Sequence, residues 1–259
     1  MIRTTFSIAL LMCSILASRA NAQPPEFRAP WEDGKSAIVI DPYAENTIDW
    51  DELETDQRVA AVIHKATEGF DTDPLYASRK QEASKRGYLW GSYHLGRPGD
   101  PVKQADHYLA AADPSNDDLI ALDLEQLGSG FMSLANAEAF VARVAERTHR
   151  YPLLYVDHAT ATTLSKSIDG HDVLARCPLW YARYRRIVTD FPKKPWSSYA
   201  LWQFSSEINC HAQGKCPYNV PGTRYDIDVN VYFGTRDDLE RAWPLTRVEA
   251  DPSQAGESK

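Results

Sequence analysis

The chain has 259 residues, of which 43% are hydrophobic and 25% are charged, and its formal net charge is −8. About 250 residues are enough for one barrel of eight strand–helix units, so a single large domain is possible. The acidic balance argues against a nucleic-acid-binding protein, because binding to phosphates requires clustered lysine and arginine. It also argues against attachment to anionic surfaces by charge alone.

The N-terminus has the pattern of a secretory signal peptide at residues 1–22. Arg3 supplies a positive charge, residues 5–17 are mostly apolar, and Ala20-Asn21-Ala22 resembles a cleavage site. The sequence therefore predicts an exported protein, periplasmic or secreted, and no other segment is apolar enough for stable membrane insertion. Cleavage leaves 26 basic and 36 acidic residues, a net charge of −10, and a proline-containing leader at residues 23–36.

Three cysteines remain after this cleavage: Cys177, Cys210 and Cys216. Export permits disulfides, and Cys210 and Cys216 flank a short polar loop that one disulfide could close. A zinc site with His211 as a third ligand is the alternative. The disulfide is favoured because neither cysteine belongs to a C-x-x-C pair. No metal and no cofactor are expected.

Short apolar segments recur along the chain, with helical segments between most of them. Eight are candidate strands, and nearly all end in polar residues; they span residues 37–40, 59–63, 88–93, 119–122, 152–156, 179–181, 200–204 and 227–233. Apolar residues at three-to-four spacing and prolines suited to a first helical turn predict helices at residues 74–86, 101–111 and 133–149. Two later connections, residues 185–199 and 205–225, have no clear helical period.

Strands that alternate with helices predict a parallel sheet, and eight of them predict a closed barrel. The predicted fold class is therefore α/β. We expect a single-domain, irregular (β/α) TIM-like barrel over residues 37–245, with fewer helices in its second half. The tail at residues 246–259 is predicted to be disordered.

A pair of acids carries the strongest functional signal. Asp123 and Glu125 follow the apolar run of residues 119–122, and residues two apart in an extended strand point to the same side. Each carboxylate raises the pKa of its neighbour, because ionising one penalises ionising the other. One of them can therefore stay protonated and act as a general acid near neutral pH. The alternative is a plain ion pair with a nearby lysine or arginine.

Further polar residues lie at the ends of other candidate strands: Asp41, His94 and Asp228. In β/α barrels the chemistry collects at the C-terminal ends of the strands, so the sequence predicts an active site built from several carboxylates. For each residue the alternative is a purely structural role. Asp41 could cap a turn before Pro42, Asp228 could be structural, and His94 is better explained as a hydrogen-bonded core histidine.

Several segments between about residues 38 and 234 are similar to motifs of the lysozymes of glycoside hydrolase family 25. In chain order they are Ile48-Asp49-Trp50, Lys65-Ala66-Thr67-Glu68-Gly69, Gly91-Ser92-Tyr93-His94, Leu122-Asp123-Leu124-Glu125, Leu179-Trp180-Tyr181-Ala182-Arg183-Tyr184, Leu201-Trp202-Gln203-Phe204 and Asp228-Val229-Asn230-Val231-Tyr232-Phe233-Gly234. Each alone is a weak signal, whereas their order and spacing together are specific. One segment, Asp41-Pro42-Tyr43, departs from the family's usual Asp-Val-Ser, which leaves the groove shape beside Asp41 open.

The resemblance implies a glycoside hydrolase, a lysozyme or N-acetylmuramidase, whose partner is the glycan strands of peptidoglycan. It implies cleavage of the β-1,4 bond between N-acetylmuramic acid and N-acetylglucosamine. Glu125 would protonate the leaving oxygen, and Asp123 would stabilise the developing charge or orient the substrate's acetamido group. Asp41 and Asp228 would complete the catalytic cluster. Retention of configuration is favoured over inversion, but the sequence supplies no carboxyl separation that would decide it.

A second set of residues is predicted to bind the substrate, because sugar rings stack on aromatic side chains and polar groups fix their orientation: Tyr93, Glu68, Tyr155, Trp202, Gln203 and Asn230. Among the aromatic candidates, Tyr93 and Trp202 are preferred. A monomer is expected. Two other functions stay open at this point, a hydrolase of chitin-like acetamido sugars and a glycan-binding protein without turnover.

Overall fold

The computed structural model describes residues 25–170 and 172–248. The predicted signal peptide and most of the predicted tail lie outside these residues. Within the described part of the chain, no helix is long and apolar enough to cross a membrane.

Eight strands close into a barrel, as the sequence predicts. The strands in chain order are β1 (Ala37–Ile40), β2 (Val59–Glu68), β3 (Asp71–Thr72), β4 (Leu89–Leu95), β5 (Leu119–Asp123), β6 (Arg150–Tyr151), β7 (Leu153–Asp157), β8 (Leu179–Ala182), β9 (Leu201–Ser205), β10 (Val229–Tyr232) and β11 (Arg247–Val248). Around the barrel the order is β1, β2, β4, β5, β7, β8, β9 and β10, and β10 pairs with β1 to close it. Each barrel strand corresponds to one of the eight apolar segments.

The last barrel strand corrects the prediction of a parallel sheet. Strand β10 is antiparallel to both β1 and β9, whereas the other barrel pairs are parallel. A parallel strand requires a crossover connection back to the other end of the sheet, usually a helix. Residues 206–228 form no helix, so the chain turns and re-enters the barrel at the end where β9 leaves it. The N-terminal end of β10 therefore lies at the mouth of the barrel.

The helices cover the outside of the barrel. They are α1 (Trp50–Leu53), α2 (Tyr76–Lys85), α3 (Pro101–Ala112), α4 (Leu134–Thr148), α5 (His158–Ser167), α6 (Val173–Arg176) and α7 (Arg236–Ala242). The three predicted helices correspond to α2, α3 and α4. In the described residues between β8 and β9 and between β9 and β10 there is no helix, which confirms the irregular second half.

Caps define where the main helices begin. The Asp100 carboxylate accepts hydrogen bonds from the backbone of Val102 and Lys103 at the start of α3. The Ser133 hydroxyl accepts one from the backbone of Asn136 at the start of α4. Such side chains satisfy backbone N–H groups that have no partner within the helix. Helix α5 was not predicted, because its sequence is rich in threonine and serine and its apolar face is narrow; Asp157 caps it.

Two apolar layers hold the fold together. One fills the barrel and includes Leu119 and Ala121 of β5, and the other lies between the barrel and the helices and includes Ile120 and Leu122 of the same strand. Successive side chains of a strand point to opposite faces. Asp123 therefore continues the row of Leu119 and Ala121 towards the inside of the barrel.

The described part of the predicted leader, residues 25–36, packs against the barrel. It contains two short 3-10 helices, Pro25–Phe27 and Pro30–Asp33. The Trp31 ring is 3% exposed and is stacked on the Phe204 ring of β9, with centroids 3.9 Å apart and planes 5° apart. At the other end of the chain, Arg247–Val248 lie within the predicted tail of residues 246–259. They form β11, which pairs with β6.

We expect Trp31→Ala to lower the free energy of unfolding by about 3 to 5 kcal/mol, because it removes a large buried ring and leaves a cavity beside Phe204. Urea unfolding would measure the change. Phe70→Ala is a matched control, since the Phe70 side chain is 54% exposed. Equal losses in the two variants would show that the leader does not belong to the cooperative fold.

Candidate active site

A cavity of about 280 Å³ opens at the mouth of the barrel. It is lined by eleven residues from all eight barrel strands or the loops that flank them: Asp41, Tyr43, Lys65, Tyr93, Leu95, Asp123, Glu125, Tyr155, Trp180, Gln203 and Asp228. All four predicted catalytic acids are among them. Four carboxyl groups from three separate parts of the chain therefore share one small space.

Asp123 ends β5 and is almost enclosed by the barrel. Burial raises the pKa of its carboxyl group well above the ordinary value, and the charges of Glu125 and Asp228 raise it further. Its Oδ1 atom has no hydrogen-bond partner among the described residues. A buried carboxyl oxygen without a partner favours the protonated form or an incoming ligand group.

Glu125 lies in the loop after β5 and is less deeply buried than Asp123. Leu124 between them is 1% exposed and packs in the outer apolar layer, which leaves the two acids on the cavity side. The Thr160 hydroxyl donates a hydrogen bond of 3.1 Å to the backbone oxygen of Glu125 and holds the loop. Burial raises the pKa of the Glu125 carboxyl, and Asp157 adds to the effect. A carboxyl of this kind keeps its proton to higher pH than an exposed glutamate and suits a general acid.

Asp41 follows β1 and is held by two amide side chains. Asn230 Nδ2 donates to its Oδ1 at 2.5 Å, and Gln203 Nε2 donates to its Oδ2 at 2.8 Å. Burial and the charge of Asp228 raise the pKa of Asp41 well above its usual range, although the two amides act in the opposite direction. Its side chain thus belongs to a buried polar network inside the barrel.

Asp228 directly precedes β10. Because β10 runs antiparallel, this residue reaches the cavity from the N-terminal end of its strand, and the prediction that it follows the C-terminal end of a strand is wrong. Burial raises its pKa to about 8, with Glu125 as the next contributor. Like charges also raise the pKa values of Asp41 and Asp123, so ionising one acid of the cluster opposes ionising its neighbours.

Three aromatic side chains complete the wall of the cavity: Tyr93, Tyr155 and Trp180. The Tyr155 hydroxyl donates to Gln203 Oε1 at 2.8 Å, and Trp180 Nε1 donates to Asn230 Oδ1 at 2.6 Å. The Tyr155 and Trp180 rings meet edge to face, with centroids 5.1 Å apart. The amides that orient Asp41 therefore also fix the aromatic wall.

Comparison with known proteins identifies the family. The family model described as Glycosyl hydrolases family 25 matches residues 40–212, about two thirds of the chain. The chain belongs to glycosyl hydrolases family 25. It is a glycoside hydrolase, and its irregular barrel is the fold of this family. A comparison with curated protein sequences gives no significant match.

Solved structures of the family are similar over most of the chain. The bacterial lysozyme from Streptomyces coelicolor is 25% identical, with a TM-score of 0.62 over 79% of this chain and 95% of that one. The muramidase from Trichobolus zukalii is 22% identical, with a TM-score of 0.60 over 83% of this chain and 100% of that one. A family 25 glycosyl hydrolase from Bacillus anthracis is 19% identical, with a TM-score of 0.62 over 81% and 94%. The last two likenesses concern the fold alone.

Three residues predicted to bind substrate do not line the cavity of this family 25 chain. Trp202 is fully buried on the outer side of β9, where its ring meets Trp31 and its Nε1 donates to the Arg183 backbone oxygen at 2.7 Å. Trp202 lies between Leu201 and Gln203, and alternation along the strand turns it away from the barrel interior. Trp180 occupies the cavity wall instead.

The other two residues outside the cavity lining are Asn230 and Glu68. Asn230 is fully buried behind the cavity and contacts Asp41 and Trp180, so it can orient them without touching a ligand. The Glu68 carboxylate pairs with Lys65 at 3.1 Å and with Arg97 at 2.6 Å. Glu68 lies beside the mouth of the barrel. Burial is the largest single influence on the pKa of its carboxyl group and raises it, but Arg97 and Lys65 together lower the pKa below the ordinary value. Tyr93, Tyr155 and Gln203, the other residues predicted to bind substrate, line the cavity.

His94 is a hydrogen-bonded core histidine, the structural role that the sequence analysis favoured for it. It is fully buried, with Thr67 Oγ1 at 2.7 Å from one ring nitrogen and Gln104 Oε1 at 3.1 Å from the other. Its ring stacks on Phe140. Burial lowers its pKa to about 4, which keeps the ring neutral.

Tyr43 is a cavity residue that the sequence analysis missed. A buried arginine of α2 holds its loop: Arg79 Nη1 donates to the Tyr43 backbone oxygen at 2.7 Å, and Nη2 donates to that of Asn46 at 2.5 Å. The Lys65 ammonium lies 4.7 Å from the centre of the Tyr43 ring. Tyr43 belongs to the segment that departs from the family pattern, and that departure was the available signal.

Cys210 and Cys216 form a disulfide. Their sulfur atoms are bonded to each other, so they are not available as zinc ligands. Among the described residues, no group of three His, Cys, Asp or Glu side chains is arranged to hold a metal ion.

Proposed function

We propose that the protein is an exported peptidoglycan hydrolase that cleaves the β-1,4 bond between N-acetylmuramic acid and N-acetylglucosamine. One observation carries the proposal: Asp41, Asp123, Glu125 and Asp228 line a single cavity that also has an aromatic wall. Membership of family 25, and the likeness to a structure described as a bacterial lysozyme, support the choice of substrate.

The proposed chemistry begins with a proton on Glu125. Its raised pKa favours the protonated form more than in an exposed glutamate, and its position in the cavity lining gives it access to a glycosidic oxygen. As the bond from the anomeric carbon to that oxygen breaks, the proton passes to the leaving sugar. Water later supplies the hydroxyl group of the new reducing end and returns a proton to the site.

The remaining acids manage the positive charge that develops on the sugar ring. Asp123, at the end of β5, is proposed to stabilise this charge or to orient the substrate's acetamido group. Asp41 and Asp228 complete the acidic cluster, while Asn230 and Gln203 hold Asp41 in place. Fixed groups of this kind act without reorganising during the reaction. The rings of Tyr93, Tyr155 and Trp180 offer faces and edges for the sugar.

Digestion of purified peptidoglycan tests the proposal. The products are reduced with borohydride and identified by mass spectrometry. We expect muropeptides whose reduced end is N-acetylmuramic acid, and no turnover of chitin oligomers. Reduced N-acetylglucosamine ends would contradict the assigned bond, and efficient chitin cleavage would support the acetamido-sugar alternative. Binding without any product would indicate a glycan-binding protein.

N-terminal sequencing of the protein from culture medium or periplasm tests export, with Gln23 expected as the first residue.

A further inference from the structure

A second cavity, of about 420 Å³, lies next to the candidate active site. Its apolar floor includes Ile227 and Val229, and its rim includes the side chains of Tyr218, Arg224 and Tyr225. Nothing in the proposed cleavage uses this cavity. Its size is sufficient for two or three amino-acid side chains or one sugar ring.

One short stretch of backbone separates the two cavities. Asp228 lines the active site, whereas its neighbours Ile227 and Val229 line the second cavity. Consecutive Cα atoms are about 3.8 Å apart. Near the end of β9, Gln203 lines the active site and Ser205, two residues later, lines the second cavity. The two cavities therefore lie on opposite sides of the backbone of residues 227–229, at the end of the barrel where the active site opens.

The two cavities have opposite charge. The active site contains four carboxyl groups, whereas none of the described residues that line the second cavity is an aspartate or glutamate. Its ionisable side chains, tyrosines apart, are Arg224 and His211. Arg224 is exposed and makes no ion pair with the described residues, although the chain as a whole carries a net charge of −8. A cationic pocket with aromatic walls on an acidic protein suits a ligand that carries carboxylates.

The disulfide gives this pocket a fixed wall. Cys210 and Cys216 both line the cavity, and their bond closes the loop that carries His211. A wall that is ordered before binding loses less conformational entropy when a ligand arrives.

We propose that the second cavity binds the peptide stem attached to the N-acetylmuramic acid residue in the active site. This inference rests on the proposed function. The stem is joined to the lactyl group of the sugar through an amide and carries free carboxylates, which Arg224 would pair with. A stem of four or five residues spans about 13 to 18 Å when extended, more than the width of a single strand. The cavity would make the enzyme selective for glycan strands that still carry peptides.

Binding of two defined products tests the proposal without turnover. The probes are the disaccharide N-acetylglucosaminyl-N-acetylmuramic acid with its tetrapeptide and the same disaccharide without it, titrated by calorimetry. We expect the wild type to bind the peptide-bearing probe more tightly. Arg224→Gln is expected to weaken that binding about threefold to tenfold, because it removes a partly solvated charge pair, and to leave the peptide-free probe unaffected. Arg28→Gln is the matched control, since Arg28 is exposed and lines neither cavity.

The outcomes separate this proposal from the proposed function. Equal affinity of the wild type for the two probes, or an equal effect of Arg224→Gln on both, would overturn the peptide site alone. Binding of neither probe, together with no digestion of peptidoglycan, would overturn both. If Arg224→Gln lacks the unfolding transition of the wild type, Arg224→Lys and Tyr225→Ala are compared instead. Arg224→Lys keeps the positive charge, so it is expected to bind the peptide-bearing probe more tightly than Tyr225→Ala.

Discussion

Glu125→Gln is expected to lower peptidoglycan turnover about a thousandfold while substrate binding is retained, because glutamine keeps the shape of the side chain and cannot deliver a proton to the leaving oxygen. The release of new reducing ends from purified peptidoglycan would measure turnover. Sedimentation with insoluble peptidoglycan would measure binding.

The burial that raises the pKa of Glu125 should also produce a descending limb in the pH profile of wild-type activity, since activity is lost as the acid ionises.

Glu146→Gln provides the matched control for this experiment. Glu146 lies on α4, its side chain is 67% exposed, and its ion-pair partner among the described residues is Arg143 on the same helix. Its replacement should leave turnover and binding unchanged. A Glu125→Gln variant that retains more than about a tenth of wild-type turnover would contradict the assignment of Glu125 as the proton donor, because loss of a general acid costs far more.

Asp228→Asn is expected to make the folded state less sensitive to alkaline pH. In the folded protein the pKa of Asp228 is about 8, against an ordinary value of 3.8. The folded state therefore holds a proton that the unfolded chain releases, and stability that is fully present below about pH 4 is lost as pH rises to about 8. Asparagine is neutral throughout. At pH 9 we expect the variant to exceed wild-type stability by up to about 5 kcal/mol.

Chemical unfolding at pH 5 and at pH 9 would measure this effect, with the difference between the two pH values as the quantity compared. Wild type should lose stability between them, and Asp228→Asn should lose less. It should still lose some, because burial also raises the pKa values of Asp41 and Asp123. Asp71→Asn, at an exposed position on β3, is the control and should behave as wild type. An identical pH dependence in wild type and Asp228→Asn would contradict a buried, protonated Asp228.

The acid pair shows what strand periodicity alone can predict. Apolar residues 119–122 define a buried strand, and the alternation of side chains then places Asp123 and Glu125 on one side. In the structure both line the cavity while Leu124 packs outside. Helix α4 is similar, since its buried residues recur at the spacing of one helix face. Local periodicity is written in the sequence because it depends only on backbone geometry.

The aromatic wall shows where this reasoning stops. Trp180 and Trp202 occur in similar segments, Leu-Trp-Tyr-Ala and Leu-Trp-Gln-Phe, yet only Trp180 lines the cavity. Strands β8 and β9 are buried on both faces, so no alternation of apolar and polar residues reveals which side chains point inward. That choice depends on the register with the neighbouring strands.

The sequence by itself determined the eight strands, the main helices, the Asp123–Glu125 pair and the family to which the chain belongs. Tertiary structure alone decided that β10 runs antiparallel and delivers Asp228 from its N-terminal end, that the leader packs on β9, and that Tyr43 reaches the cavity. The physical reason is the sequence separation over which each kind of interaction acts. Periodicity and capping act within a few residues, whereas strand direction, register and loop position are set by packing between segments that lie tens of residues to well over a hundred residues apart.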